Sequence, residues 1–105
     1  MAEGEHQKRA EFLAVLAHEL TMVARAATYG PGDQTNGDLL RRFNEVQHRV
    51  TGALRHEIGG SSGMPIDAVI LMLKDFGADC GLDVEMAGAI HSASRASGFN
   101  VSVFH

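Results

Sequence analysis

Two stretches of this chain place ionisable side chains at spacings that chemistry can use. His18 is followed directly by Glu19 inside the run EFLAVLAHELT, residues 11–21. An imidazole nitrogen on an exposed helix face can accept a phosphoryl group, and a neighbouring carboxylate can act as base or orient the ring. His18 and Glu19 are therefore the candidate catalytic residues, and only for phosphotransfer. Glu45 and His48 form a Glu-x-x-His spacing, which sets two potential metal ligands on one helix face. A metal centre of that kind needs two such motifs and two more carboxylates. With one motif present, Glu45 and His48 bind metal only where another copy of the chain supplies the remainder. The plainer reading of each pair is a solvated helix face.

The remaining chemistry-bearing residues are isolated. Cys80 is the single cysteine, which excludes an intrachain disulfide and a multi-cysteine metal site, and it reads as a small, partly buried thiol. The GGSSG stretch beginning at Gly59 lacks the lysine and preceding strand of a phosphate-binding loop, so it reads as a linker. Ser61 and Ser62 have no partnered histidine and aspartate motif. His6, His56, His91 and His105 have no metal spacing among themselves, and His91, beside Ile90, is expected to be partly buried and hydrogen-bonded.

What must position these residues is a set of helices. From Asp38 to Ile58, at about 100° per residue, Leu39, Leu40, Phe43, Val46, Val50, Leu54 and Ile58 share one arc, opposite Arg41, Glu45, His48, Gly52 and Arg55. That stripe needs a partner, and the upstream run over 5–28 offers one: Phe12, Leu13, Leu16, Leu20, Val23 and Ala27 share a face, with His18 almost opposite. The two should form an antiparallel hairpin across the loop YGPGDQTNG, where Gly30 and Pro31 stop the first helix and Asn36 or Asp38 caps the second. A third helix is expected over 65–76, starting at Pro65, apolar nearly all round and ended by Gly77.

The fourth helix, 83–97, is expected to be capped by Asp83 and by Gly98. Val84 or Met86, Ala87, Ile90 and Ala93 or Ser94 should face inward, and Gly88 with its small neighbours should allow a close helix approach. Gly52, in the second helix, costs up to ~1 kcal/mol relative to alanine. Phe99 to Phe104 alternates like a strand, with no second such run to pair with; it lies over the helices as an extended tail or pairs with a second subunit. The expected fold is all-α: one four-helix, bundle-like domain over 1–105, two helices long and two short, with 1–4 and 99–105 as tails.

Composition narrows the functional classes. With 105 residues the chain makes one domain with a modest core, and 45% hydrophobic against 21% charged residues is ordinary for a globular protein. The apolar runs are too short to span a bilayer and the N-terminus is not signal-like, so the expected setting is cytoplasmic with no membrane partner. A net charge of −4 gives no general attraction to nucleic acid. Tryptophan is absent and tyrosine occurs once, so stacking platforms for single strands are missing too. No cofactor is implied. Five methionines and a thin core point to more apolar surface than one subunit covers, hence to a protein partner or a homodimer.

Two resemblances add to this. The pattern F-L-x-x-x-x-H-E-L over 12–20 resembles the H-box of sensor histidine kinases, the helix of their dimerisation and phosphoacceptor domain. The resemblance implies His18 as phosphoacceptor and Glu19 as its acid/base neighbour. The basic residue, threonine and proline usual after that motif are replaced by Thr21, Met22 and Val23, and the chain has no ATP lid or asparagine box, so a complete kinase is excluded. The run N-E-V-Q-H-R-V-T-G from Asn44 is similar, more distantly, to the phosphoacceptor box of a second kinase class. As a whole, the first half of the chain resembles small uncharacterised helical proteins of proteobacteria, which implies a bacterial setting and attaches no activity. The leading expectation is a non-enzymatic interaction or regulatory module. A phosphotransfer domain using His18 comes second, and a metal-binding protein using Glu45 and His48 third.

Overall fold

The computed structural model of the chain describes residues 2–28, 37–59, 66–99 and 101, with side chains described from residue 7 onward in the first helix and up to 27. Four helices account for nearly all of it: α1 (Ala2–Thr28), α2 (Gly37–Gly59), α3 (Ile66–Cys80) and α4 (Asp83–Ser97). No strand occurs among the described residues. The expected caps at Gly30, Pro31 and Asn36, the linker over 60–64, Pro65 and the tail beyond 101 lie outside the described residues.

Each helix is antiparallel to its neighbours, and the side-chain pairs show the register. Arg9 of α1 meets Glu57 of α2 and Ala17 meets Gln47. Phe43 of α2 packs edge-on against Phe76 of α3, ring centroids 5.0 Å apart. Phe12 of α1 packs against Phe99, just past α4, with ring centroids 5.4 Å apart and the rings tilted. α1 packs most extensively, on both α2 and α4, and α3 closes the ring against α4 and α2. At 1.5 Å per residue, the 27 residues of α1 run about 40 Å and the 15 of α4 only about 22 Å. The first turns of α1 and the last of α2 therefore project beyond the shorter pair.

The core draws on one stripe from each helix: Phe12, Leu13, Leu16 and Leu20; Phe43, Val46, Val50 and Ala53; Ile66, Val69, Ile70, Leu73 and Phe76; Met86, Ala89, Ile90 and Ala93. The stripe of α1 is the expected one, with Val23 and Ala27 half-buried at its end. The stripe of α2 is narrower than expected. Leu39 and Leu54 are half-buried, while Leu40 and Ile58 are exposed, Ile58 by 70%, because it sits on the overhang where α3 no longer covers α2. In α4, Ala89 takes the inward position assigned to Ala87, and Val84 is 76% exposed.

Further expectations need correction, beginning with the N-terminal tail over 1–4, since α1 already starts at Ala2. Gly77 does not end α3; the helix runs on to Cys80, and Gly77 is buried at the crossing with α4. A Cβ there would sit 2.8 Å from Met86 Cγ, 3.1 Å from Asp83 Cα and 3.2 Å from the Leu82 carbonyl oxygen, so glycine permits the close approach sought at Gly88, where no atom lies within 4 Å. The helix stops instead at Gly81, in the left-handed region (φ +71°), where the Leu82 amide donates to the Gly77 carbonyl at 2.7 Å in a Schellman-type closure. Next, Asp83 is the first residue of α4 and not its cap; Leu82 holds the cap position, with no side-chain capping bond. Finally, α3 is not apolar all round, for Leu71 is 56% exposed beside Asp67, Lys74, Asp75 and Asp79.

The start of the tail is pinned. Gly98 closes α4 at φ +74°, its amide donating to the Ser94 carbonyl at 3.0 Å. The Ser94 hydroxyl donates to the Phe99 carbonyl at 2.7 Å, and the Phe99 amide donates to the buried Ser97 hydroxyl at 3.1 Å. Phe99 and Val101 rest half-buried on the core.

Candidate functional site

His18 lies in the middle of α1, one residue past the tightest polar contact of the α1–α2 seam. The Gln47 side-chain amide donates to the Ala17 carbonyl at 2.8 Å and to the Thr21 hydroxyl at 3.1 Å, and Thr21 itself donates to Ala17. His48 follows Gln47 as His18 follows Ala17. Each histidine is turned about 100° further round its helix than the seam residue before it. Both are exposed, level with one another on adjacent helices and directed away from the core.

Consecutive helical side chains do not face one another, and Glu19 is half-buried while His18 stands in solvent. The pair thus shares a place in the chain without sharing a direction. Glu45 and His48 are both exposed; the Glu45 carboxylate lies 4.0 Å from the Arg49 guanidinium. Among the described residues, no group of three or more histidine, cysteine, aspartate or glutamate side chains gathers as a metal site would require. His91 is exposed, not partly buried, because Ile90 takes the inward position beside it.

Neither histidine lines either of two surface grooves formed by described residues. One, of about 290 Å³, lies where the end of α1 meets the start of α4, between Met22, Val23, Ala26, Ala27, Leu82 and Glu85. The other, of about 240 Å³, follows the seam of α2 and α3; its floor is Val46, Met72 and Phe76 and its rim is Arg42, Glu45, Arg49 and Asp79. Glu45 is the sole candidate residue to line either.

Charge concentrates at that second groove. Arg42 reaches Asp38 and Asp79, each at 3.7 Å, and donates to Cys80 Sγ at 3.8 Å, while Asp38 also holds Arg41 at 2.5 Å. The Cys80 sulfur, then the Asp38 carboxylate, hold the Arg42 guanidinium above its ordinary value. Cys80 is half-exposed at the end of α3, as expected of a small thiol.

The sequence reads Arg42 as part of a solvated basic face paired within its helix, and it shows neither the seam contact of Gln47 nor the remote contacts of Arg42. Gln47 had a signal, since it follows Phe43 by four and precedes Val50 by three, at the edge of the apolar arc where a polar side chain meets the neighbouring helix. Arg42 had a local signal for its i,i+4 pair with Asp38 but none for Asp79 and Cys80, which are remote in the chain.

No helix of the described residues is long and apolar enough to cross a membrane. Comparison with protein-family models, with curated proteins and with solved structures gives no match in any of the three.

Proposed function

We propose that this protein is a non-enzymatic helical interaction or regulatory module, which binds another protein or itself through the outer faces of its first two helices. The observation that carries the reading is the surplus of apolar surface on the long hairpin: Met22, Leu40 and Ile58 stay exposed although the hairpin is fully formed and its core is filled. Each large apolar side chain left in solvent gains by being covered. Light scattering and pull-down with wild-type protein and with Ile58→Asp test it. The expected result is association that Ile58→Asp weakens; a wild-type monomer that captures no partner would remove the reading.

A second reading, phosphotransfer through His18, rests on the exposure of that imidazole in mid-helix. In it, an imidazole nitrogen attacks the phosphorus of an acyl phosphate, the bond from phosphorus to the acyl oxygen breaks, and the carboxylate leaves. Incubation with acetyl phosphate, or with a phosphorylated receiver domain, should then leave an acid-labile label on wild type and none on His18→Ala; an equal label on both ends this reading. Metal binding at Glu45 and His48 would need ligands from a second copy, and elemental analysis of the purified chain decides it.

A further inference from the structure

The line of small residues that the sequence sets on α4 for close approach is used by no helix of this chain. Gly88 and Ser92, with Ala96 one turn further, are all exposed, and no atom lies within 4 Å of where a Gly88 Cβ would stand. α3 reaches α4 on another side, through Gly77 against Met86 and Asp83. That line begins at Glu85, on the border of the apolar groove at the end of α1.

The groove, of about 290 Å³, gathers Met22, Val23 and Ala26 of α1 with Leu82 and Glu85 of α4. On α1, Glu19 precedes Met22 by three and Val23 by four, so it stands one turn back on the same edge. On α4, Gly88, Ala89 and Ser92 follow Glu85 by three, four and seven. A single trough therefore runs between the antiparallel helices, apolar at Met22 and Leu82, floored by the buried Ala89 and open along Gly88 and Ser92. Its charges have one sign. Glu85 is exposed and Glu19 half-buried, and neither is paired with a cation among the described residues. Arg25 is exposed about 100° round α1 from Ala26, outside the groove.

We propose that the α1–α4 trough is a docking site for a basic amphipathic helix of another protein. The apolar stripe of that helix lies on Met22 and Leu82, its backbone comes close at Gly88 and Ser92, and lysine or arginine beside the stripe pairs with Glu85 and Glu19. The proposal rests on the interaction-module reading and gives that module's partner a chemistry. Charge complementarity selects the sign of the partner, because two unpaired carboxylates flank an apolar floor. Shape selects a helix: the groove is at the lower limit of small-molecule pockets, about 300 Å³, and continues as a line on which a third helix packs ridge into groove. The α2–α3 groove lacks this pattern, since its arginines are already paired with Asp38, Asp79 and Glu45.

Fluorescence anisotropy on the full chain tests the site, with a labelled peptide carrying leucines at i, i+3, i+4 and i+7 flanked by lysines, beside its counterpart with glutamates for lysines. Wild type should bind the lysine peptide at least about tenfold more tightly than the glutamate one, and the bound peptide should gain helical circular dichroism. Met22→Asp, Glu85→Lys and Gly88→Leu should each weaken that binding about tenfold, the last by filling the line of approach while favouring the helix. Asp67→Lys, exposed on α3, changes the net charge as much as Glu85→Lys does and should leave the affinity unchanged. Equal binding of the two peptides, equal losses from Asp67→Lys and Glu85→Lys, or full binding by Met22→Asp and Gly88→Leu would overturn the site. Any of these results together with association that Ile58→Asp still weakens would remove the trough and keep the broader reading; a wild-type chain that takes up no peptide, no partner and no second copy would remove both.

Discussion

The long hairpin α1–α2 and the short hairpin α3–α4 hold antiparallel helices together by different means. The long one is zipped by apolar stripes and laced across its seam by extended polar side chains: Gln47 onto the Ala17 carbonyl, and Arg9 onto Glu57 at 3.1 Å on the overhang. The short one has a Schellman-type turn at Gly81 and a single steric key, Gly77 against Met86. Length explains the difference. A helix of 23 or 27 residues presents several turns of apolar stripe to its partner and tolerates a looser crossing, whereas 15-residue helices must approach closely to bury comparable area per residue.

The contrast can be broken at either hairpin. Leu16→Ala, in the fully buried stripe of α1, should show the largest effect, about 2–5 kcal/mol of lost stability by denaturant titration, because Leu16 sits where α1 meets the rest of the core. Gly77→Val comes next: its side chain meets Asp83 Cα and the Leu82 carbonyl, backbone atoms that cannot swing away as Met86 can, and overpacking of this kind costs about 1–3 kcal/mol. If the short hairpin were held by area alone, this variant would be nearly neutral in the same titration.

Two smaller effects sharpen the comparison. Gln47→Ala removes two hydrogen bonds from the long seam and should cost about 1 kcal/mol, seen as a lower thermal midpoint with unchanged helix content. Gly52→Ala should act in the opposite direction, stabilising by roughly 0.5–1 kcal/mol in chemical denaturation, since the added methyl meets nothing within the chain. Two mid-helix glycines thus predict opposite signs, because one faces a neighbouring helix and the other faces outward.

Much of the fold was legible in the sequence, because apolar spacing is a local record of which side of a helix is covered. Phe12, Leu13, Leu16 and Leu20 share a face at helical period, and they are buried in the structure. The inward positions Met86 and Ile90 and the left-handed close at Gly98 follow from the same local signals. The outward turn of His18 and His48 is of this kind too, as a wheel places them opposite the stripe and both are exposed. The candidate site was legible only to that depth. Gly77 and Gly81 are both plausible helix stops in one dimension, and the choice between them lay in Met86, which needed the space at Gly77.

The pattern of apolar residues by itself determined that four helices form, where most of them run and which sides turn inward, since a helix must bury its stripe whatever its neighbours are. The tertiary structure alone decided which stripes were wider than their cover, leaving Ile58 and Leu71 in solvent, and which remote charges met, drawing Arg42 to Asp79 and Cys80. Helix periodicity is a property of nearest neighbours in the chain. Cover and charge contact depend on helix lengths, overhang and crossing, which no single segment encodes.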